Sequence, residues 1–520
     1  MVLVLAVIVA AAVAVVLLTS SSVEPPATGA ARVVPGDALA YVHVSTDRSR
    51  PAVRSALGVA RRFPTFPLLS ALVDTRLAEI AGGGSKVDYS ADIRPWLGKE
   101  AAIAFVGTQS STAGSEIVLD VRRRPAAQRF LSRAGAAPMG TYGGEKLFRL
   151  RSGTELAFVR HYLVVGQAAT VKAAIDASAG RRASLARTPA YARAASGEPA
   201  GRVIDAYFSA DGITRLLAAQ GGVIGAFGAV LYQPGEVGTT VSISPTGAGA
   251  SVHVHTALDP RLAPLAASHT FTPSLTQALP AGSLLMLDLM NLPRSAPRVL
   301  GTSAAAGIAG RLGPLLRRLG VALSAEGVNV TALQKLFAGE SAVAVGSSGA
   351  GAPALIVVTR TSHEQRVREQ LANLEVPLAS LFPAPRQGSG VVPQFSTHQV
   401  GGVTAHLIAL APGLHLVYAV FRGLIVVSTG LDGIGAVAHH ARSVAQEPGY
   451  EQTLPDQPRP VTSLVFLDFS QLLRLAERTG LTRSARYKAL RPDLEQIRAV
   501  GLETTRGPAD STADITLQIK

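Results

Sequence analysis

The sequence predicts an α+β protein of two duplicated lobes, each a mainly antiparallel sheet with helices packed on one face, preceded by an N-terminal transmembrane helix. Three observations lead there. First, the stretch at 92–106, DIRPWLGKEAAIAFV, returns in worn form at 332–346, ALQKLFAGESAVAVG. In each copy a helix-like piece runs to a glycine, a glutamate follows (Glu100, Glu340), and a run of small and β-branched residues reads as a buried strand. Second, strands and short loops recur in one order on both sides of a Pro-rich stretch near 259–273, which implies antiparallel pairing with helices returning between strands. Third, residues 1–18, MVLVLAVIVAAAVAVVLL, form an unbroken apolar run.

As a helix that run would span roughly 27 Å at 1.5 Å per residue, close to the roughly 30 Å of a hydrocarbon core. Its length exceeds a usual signal h-region, which favours a retained anchor over a cleaved signal with Gly29, Ala30 and Ala31 as the small-residue cleavage site. No Lys or Arg precedes the run and Arg32 follows it, which on charge alone keeps the body inside. A basic n-region upstream of Met1 would reverse that orientation, and the expectation is a single-pass cell-membrane protein with an extracytoplasmic body. The organisation is therefore residues 1–18 as anchor or uncleaved signal, 19–34 as tether, 35–258 as first lobe, 259–279 as linker and 280–520 as second lobe.

The first lobe opens on turn chemistry, Pro35-Gly36-Asp37, and the alternating strand 38–44. Residues 53–80 carry apolar residues at helical spacing, interrupted at Pro64 and Pro67. Strands follow at 101–106 and 117–122, a helix at 126–134, and strands at 146–150, 155–160 and 162–166. Helices at 169–177 and 189–194, a strand at 203–208 and a helix at 212–219 lead to a closing hairpin, 238–244 with 250–257. The second lobe replays this order. Its strand 283–289 answers 38–44, its helical region is 304–323, and 355–360 answers 117–122. RGLIVV at 422–427 answers RHYLVV at 160–165, Pro448-Gly449-Tyr450 answers Pro189-Ala190-Tyr191, and 500–505 with 513–519 repeats the closing hairpin, which implies two lobes related by a pseudo-two-fold axis that either share one long sheet or face each other across a cleft.

Composition narrows the function classes. Hydrophobic residues make up 48% of the 520 and charged residues 16%, enough apolar material for large cores and too little charge for a disordered chain. The net charge is +14, carried mostly by arginine. Such a surplus attracts anionic partners, here lipid headgroups or envelope polymers. Nucleic acid is not expected, because the basic clusters are short and carry no interleaved aromatics. With Cys at 0 there is no disulfide, thiol chemistry, Cys-ligated zinc or lipidated cysteine.

The 35–44 strand opening, Pro95-Trp96-Leu97-Gly98 followed by Glu100, and the N-terminal apolar segment together resemble the bacterial domain-of-unknown-function family 3352, found often in actinobacteria. The resemblance covers nearly the whole chain after residue 18. It implies a membrane-anchored exported body and brings no activity, cofactor or catalytic residue. The second copy departs from the motif with Lys335-Leu336 in place of Pro95-Trp96.

No catalytic, metal or cofactor site is predicted. GxSxG, HExxH and Walker patterns are missing, and AGGGSK at 81–86 follows a helix and lacks the spacing of a phosphate loop. His253 with His255, and His439 with His440, have no third ligand at recognisable spacing. Glu100 and Glu340 read as structural carboxylates at the start of a strand, accepting backbone or arginine bonds, in preference to an acid and base pair. His43 aligns with Asp288 across the duplication, and the two are expected to bond if their strands neighbour each other. Trp96, the single Trp, and Ile224, Phe227 and Leu231 in the Gly-spaced stretch 221–232 are the candidate ligand-binding residues, as a core edge and an apolar flap. The expected function is a non-enzymatic envelope binding or scaffold module with a groove between the lobes for an apolar ligand or lipid. The alternative is an envelope hydrolase with a site assembled from distant residues.

Overall fold

The computed structural model describes residues 24–67, 88–107, 114–217, 235–261, 270–293, 295, 334–346, 354–380, 394–411, 414–478, 480, 482 and 484–520. Twenty described strands join one sheet, and that ladder corrects the expectation of two lobes each built on its own sheet and rules out halves that face each other across a cleft. The first half contributes β1 (Ala38–Ser45), β2 (Leu97–Val106), β3 (Gly114–Val121), β4 (Ala137–Tyr142), β5 (Glu145–Arg149), β6 (Glu155–Val159), β7 (Tyr162–Gly166), β8 (Ile204–Ser209), β9 (Glu236–Pro245) and β10 (Gly249–Leu258). The second contributes β11 (Ser283–Met290), β12 (Glu340–Gly346), β13 (Ala354–Arg360), β14 (Ser396–Val400), β15 (Val403–Ala411), β16 (Leu414–Phe421), β17 (Leu424–Ser428), β18 (Ser463–Asp468), β19 (Ile497–Arg506) and β20 (Asp510–Ile519).

The pairings trace one palindrome. From one edge the strands run β4, β5, β6, β7, β3, β2, β1, β8, β9, β10, and the second half continues as β20, β19, β18, β11, β12, β13, β17, β16, β15, β14. All these pairs are antiparallel. The halves meet at β10·β20, where Gly249 pairs with Gln518 and Ala257 with Asp510. That ladder is centred on His253 and Asp514, whose Nδ1 and Oδ1 lie 2.5 Å apart, and a pseudo-two-fold axis passes through this pair.

Helices cover both faces, which corrects the one-face expectation. They are α1 (Pro51–Ala60), α2 (Arg124–Arg133), α3 (Ala168–Ser178), α4 (Pro189–Ala195), α5 (Glu364–Ser380), α6 (Leu431–Ala438), α7 (Pro448–Thr453), α8 (Phe469–Arg478) and α9 (Ala485–Leu494). The strand β6 shows why. It is buried at all five positions, with Leu156 and Phe158 in the cluster under α2 and Ala157 and Val159 in the cluster under α3. A strand covered on both faces reads as a continuous apolar run instead of an alternation. In the second half α5 and α6 repeat this arrangement around β16 and β17.

Register fixes the internal correspondence. Ala102 pairs with Val118 and Ala342 with Val358, so Ile117 answers Val357, and the sequence match of 117–122 to 355–360 is two residues out. A slip of two keeps every side chain on its own face, which is why the hydrophobic pattern hides it. The turns repeat as well, since Arg160 and Arg422 both take positive φ, 56° and 51°, in the two-residue connections of β6·β7 and β16·β17. No described helix is long and apolar enough to cross a membrane, and the expected anchor at 1–18 lies outside the described residues.

Candidate functional site

The two glutamates perform one task in both halves. Glu100 Oε1 accepts from the Gly29 N–H at 3.0 Å and the Tyr162 hydroxyl at 2.6 Å, and Oε2 accepts from the Ala30 N–H at 3.2 Å. Glu340 Oε1 accepts from the N–H groups of Ser274 at 2.5 Å and Leu275 at 2.9 Å, while Arg360 Nε donates to Oε2 at 3.2 Å. Each carboxylate thus caps the first amides of a 3-10 turn, Gly29–Arg32 or Leu275–Gln277, and ties the segment before the first strand of its half to the second. Burial pushes Glu100 up, but bonds from His43 and Tyr162 and the charge of His43 outweigh it and hold the carboxyl below its usual range. Eight strands separate β2 from β12, so the two carboxylates do not form an acid and base pair.

His43 and Asp288 do not meet. Six strands separate β1 from β11, and the partner of His43 is Asp205 on neighbouring β8, Nδ1 to Oδ1 2.9 Å. Arg202 Nε donates to the same oxygen at 3.0 Å, Glu198 lies 2.9 Å from Arg202 Nη2, and His43 Nε2 lies 3.4 Å from Glu100. Burial lowers the His43 affinity, yet the charge and hydrogen bond of Asp205 dominate and push it up to about 9. In the second half Leu464 stands opposite Asp288 where Asp205 stands opposite His43. With no cation bonded to it, Asp288 is pushed up to about 9 by burial and then by Glu340, against a weaker pull from the charge of Arg360, so it is a neutral acid at pH 7. Sequence reasoning missed Asp205 because the duplication alone does not say which strands are neighbours.

Trp96 is 1% exposed, its Nε1 donates to the Asp92 carbonyl at 2.6 Å, and its ring rests against Phe130 in the core under α2. It offers no face to a ligand in this conformation. Ile224, Phe227 and Leu231 lie outside the described residues. His255 Nδ1 meets the Ala194 carbonyl at 2.6 Å, and His439 and His440 meet the carbonyls of Gly401 and Gln277.

A different place is hollow. A cavity of about 570 Å³ lies between α5 and the sheet face of β15 and β16, lined by Arg368, Glu369, Ala372, Gly402, Val403, Thr404, His406, Tyr418, Val420 and Phe421. Its first-half counterpart is solid. The pair Val159 and Tyr162 answers Phe421 and Leu424, so Leu156 and Phe158 answer Tyr418 and Val420. Phe148, paired with Leu156, answers His406, paired with Tyr418. Phe148, Phe158, Phe130 and Trp96 pack together in the first half, whereas the second half has His406, Val420, Gln370 and Leu336 at those places. Replacing phenylalanine by valine in a core leaves space that neighbours only partly close.

The hollow carries an oriented polar group. The first-half helix α2 has 10 residues and is followed by Gly135 at φ 76°, while α5 has 17 and carries Glu375 at the equivalent place. Glu375 Oε1 lies 2.7 Å from His406 Nδ1 and accepts from the Tyr418 hydroxyl at 2.5 Å. The His406 and Tyr418 rings stack, centroids 4.7 Å apart. Burial, then the bond to Glu375, raises the Tyr418 phenol, which stays protonated. No sequence motif marked these residues; the signal was the loss of Phe148 and Phe158 in the second copy.

Fold and site define a duplicated antiparallel-sheet protein whose second half, among the described residues, is hollow at the place that Phe148 and Phe158 fill in the first. The chain matches the family described as "Protein of unknown function (DUF3352)" over residues 1–519 and belongs to that family. Among solved structures it is similar to crystal form III of TP0453 at 13% identity and a TM-score of 0.26, covering 49% of this chain and 91% of that one. Crystal form I gives 10% and 0.26 over 48% and 89%, and form IV gives 12% and 0.25 over 49% and 89%. No curated protein sequence matches the chain.

Proposed function

We propose that this is a non-enzymatic envelope binding protein whose first half is a packed scaffold and whose second half holds a small amphipathic ligand between α5 and β15–β16. One observation carries the reading: the cavity of about 570 Å³ stands where the first half fills the same place with phenylalanines. That volume lies within the roughly 300–1,000 Å³ of small-molecule sites. The ligand belongs inside the second half and not in a groove between halves, because the halves meet edge to edge through β10 and β20. A hydrolase would need a group poised to exchange protons near working pH. The shifted lining group, Tyr418, moves the other way, and Ala372, Val403, Val420 and Phe421 give the lining an apolar side beside Arg368, Glu369, Thr404 and His406. The absence of Cys fits an oxidising envelope compartment, and the arginine surplus adds attraction for anionic envelope polymers.

Native mass spectrometry of the full chain tests this. The wild type should carry a small molecule, or take up 1-dodecanol at one equivalent, and Val420→Phe, which restores the first-half residue, should abolish either. Equal loading of the wild type and Val420→Phe, or no loading of the wild type, refutes the proposal.

A further inference from the structure

We propose that α8 and α9 form a docking surface for an anionic lipid bilayer. The two halves differ where the chain leaves β8 and β18. Asp205 and Leu464 take the same place, opposite His43 and Asp288, so Ser209 answers Asp468 and the turns that follow correspond residue by residue. Both begin on the same kind of cap: Ser209 Oγ accepts from the Gly212 N–H at 3.0 Å, and Asp468 Oδ1 accepts from the Gln471 N–H at 2.9 Å. After the cap the copies part. In the first half Ile213 and Leu216 are buried in the core with α1, while Thr214 is exposed. In the second, Leu472 and Leu475 answer the two buried residues, Phe469 answers Ala210 and Leu473 answers Thr214. The helix α8 has no fully buried side chain, so all four of these apolar groups keep part of their surface uncovered. A leucine in place of an exposed threonine, one turn from a phenylalanine in place of an alanine, adds apolar surface that the fold itself does not close over.

Cations frame that surface. Arg474 and Arg478, one turn apart on α8, are exposed and line an open hollow of about 520 Å³ together with Glu477. Glu477 does not neutralise them, because it already accepts from the Tyr487 hydroxyl and from Arg491 Nε at 2.7 Å. Arg474, Arg478 and the exposed Lys488 of α9 have no ion pair among the described residues. The same helix adds Leu490, 52% exposed. Apolar side chains flanked by arginine and lysine are the pattern of a helix that lies in the headgroup layer, its apolar side toward the acyl chains and its cations against phosphate. The charge selects an anionic headgroup, and the apolar residues select a bilayer over a soluble polyanion.

The chain has no Cys, so Leu473→Cys carries a single environment-sensitive NBD label. In the full chain at low salt, its emission should move to the blue and at least double with vesicles of phosphatidylglycerol and phosphatidylcholine, and respond little to phosphatidylcholine alone. A label at Thr214→Cys, the first-half counterpart, should not respond. Arg474→Glu with Arg478→Glu, added to the Leu473→Cys chain, should raise the vesicle concentration needed at least tenfold at an unchanged thermal midpoint. No response at 473, equal responses on the two vesicle types or at the two label sites, or an unchanged response in the charge-reversed chain overturns the proposal. A response to polyglutamate and not to vesicles also overturns it, and assigns the surface to an acidic protein.

Discussion

Asp288→Asn should stabilise the protein at neutral pH. Asp288 is fully buried on β11, and its carboxyl is raised from 3.8 to about 9, first by burial and then by Glu340. A group whose affinity for protons is higher in the folded state contributes stability that is complete below its unfolded value and is lost as pH rises through its folded value. For Asp288 that window runs from 3.8 to about 9. Between pH 4 and 7 it spans about three pH units, and at about 1.4 kcal/mol per unit the protein loses up to about 4 kcal/mol. Asparagine keeps the shape, carries no charge and has nothing to titrate, so it recovers that amount at pH 7. His43, its first-half counterpart, shifts in the same direction, from 6.5 to about 9, and its contribution of about 3 kcal/mol fades only over that interval. Urea unfolding at pH 5, 6, 7, 8 and 9 reads the difference between variant and wild type. The wild-type midpoint should fall across the whole series, while Asp288→Asn should fall less steeply, its remaining slope coming from Glu198, raised to about 8, from Glu116 and Glu447, raised by burial, and above pH 6.5 from His43. A variant curve parallel to the wild type, or a lower midpoint at pH 7, refutes the reasoning.

Glu100→Gln should flatten the acid limb, because its depressed carboxyl contributes stability above the unfolded value of 4.5 that is lost as pH falls through the folded one. At pH 7 the variant should cost about 3 kcal/mol by leaving the buried His43 cation short of a partner, read by urea midpoints at pH 7 and 4. Gly249→Ala should cost about 2 kcal/mol or more, since a Cβ there collides with the Leu517 carbonyl across β10·β20; unchanged thermal stability would argue against the seam. Trp96→Ala should cost about 3–5 kcal/mol, and wild-type tryptophan emission should resist acrylamide quenching and ignore added dodecanol.

Local patterns carried the duplication a long way. Glu100 and Glu340 are spaced from their strands alike, and the RHYLVV and RGLIVV segments occupy the same hairpin in each half. Alternation and turn residues marked β1, β9 and β10, because one-dimensional periodicity encodes local geometry. The sheet order was not legible in that way. Joining β10 to β20 pairs residues some 260 positions apart, and hydrogen bonding between backbones leaves little trace in side-chain type. The expectations of one sheet per lobe and of a groove between the lobes failed for this reason, as did the pairing of His43 with Asp288 in place of Asp205. The cavity was hidden differently. His406, Val420 and Glu375 are unremarkable residues singly, and only the registers that set them against Phe148, Phe158 and Gly135 reveal that one copy has been emptied.

Methyl-resolved NMR of the perdeuterated, valine- and alanine-methyl-labelled full chain during dodecanol titration locates the bound ligand. Saturable shifts are expected at Val403, Val420 and Ala372, with Val159 and Val165 of the first half and Val252 and Val254 at the seam unmoved. Shifts centred on the first half or on the seam, or no saturable shift at Val403 and Val420, would contradict the proposed site in the second half.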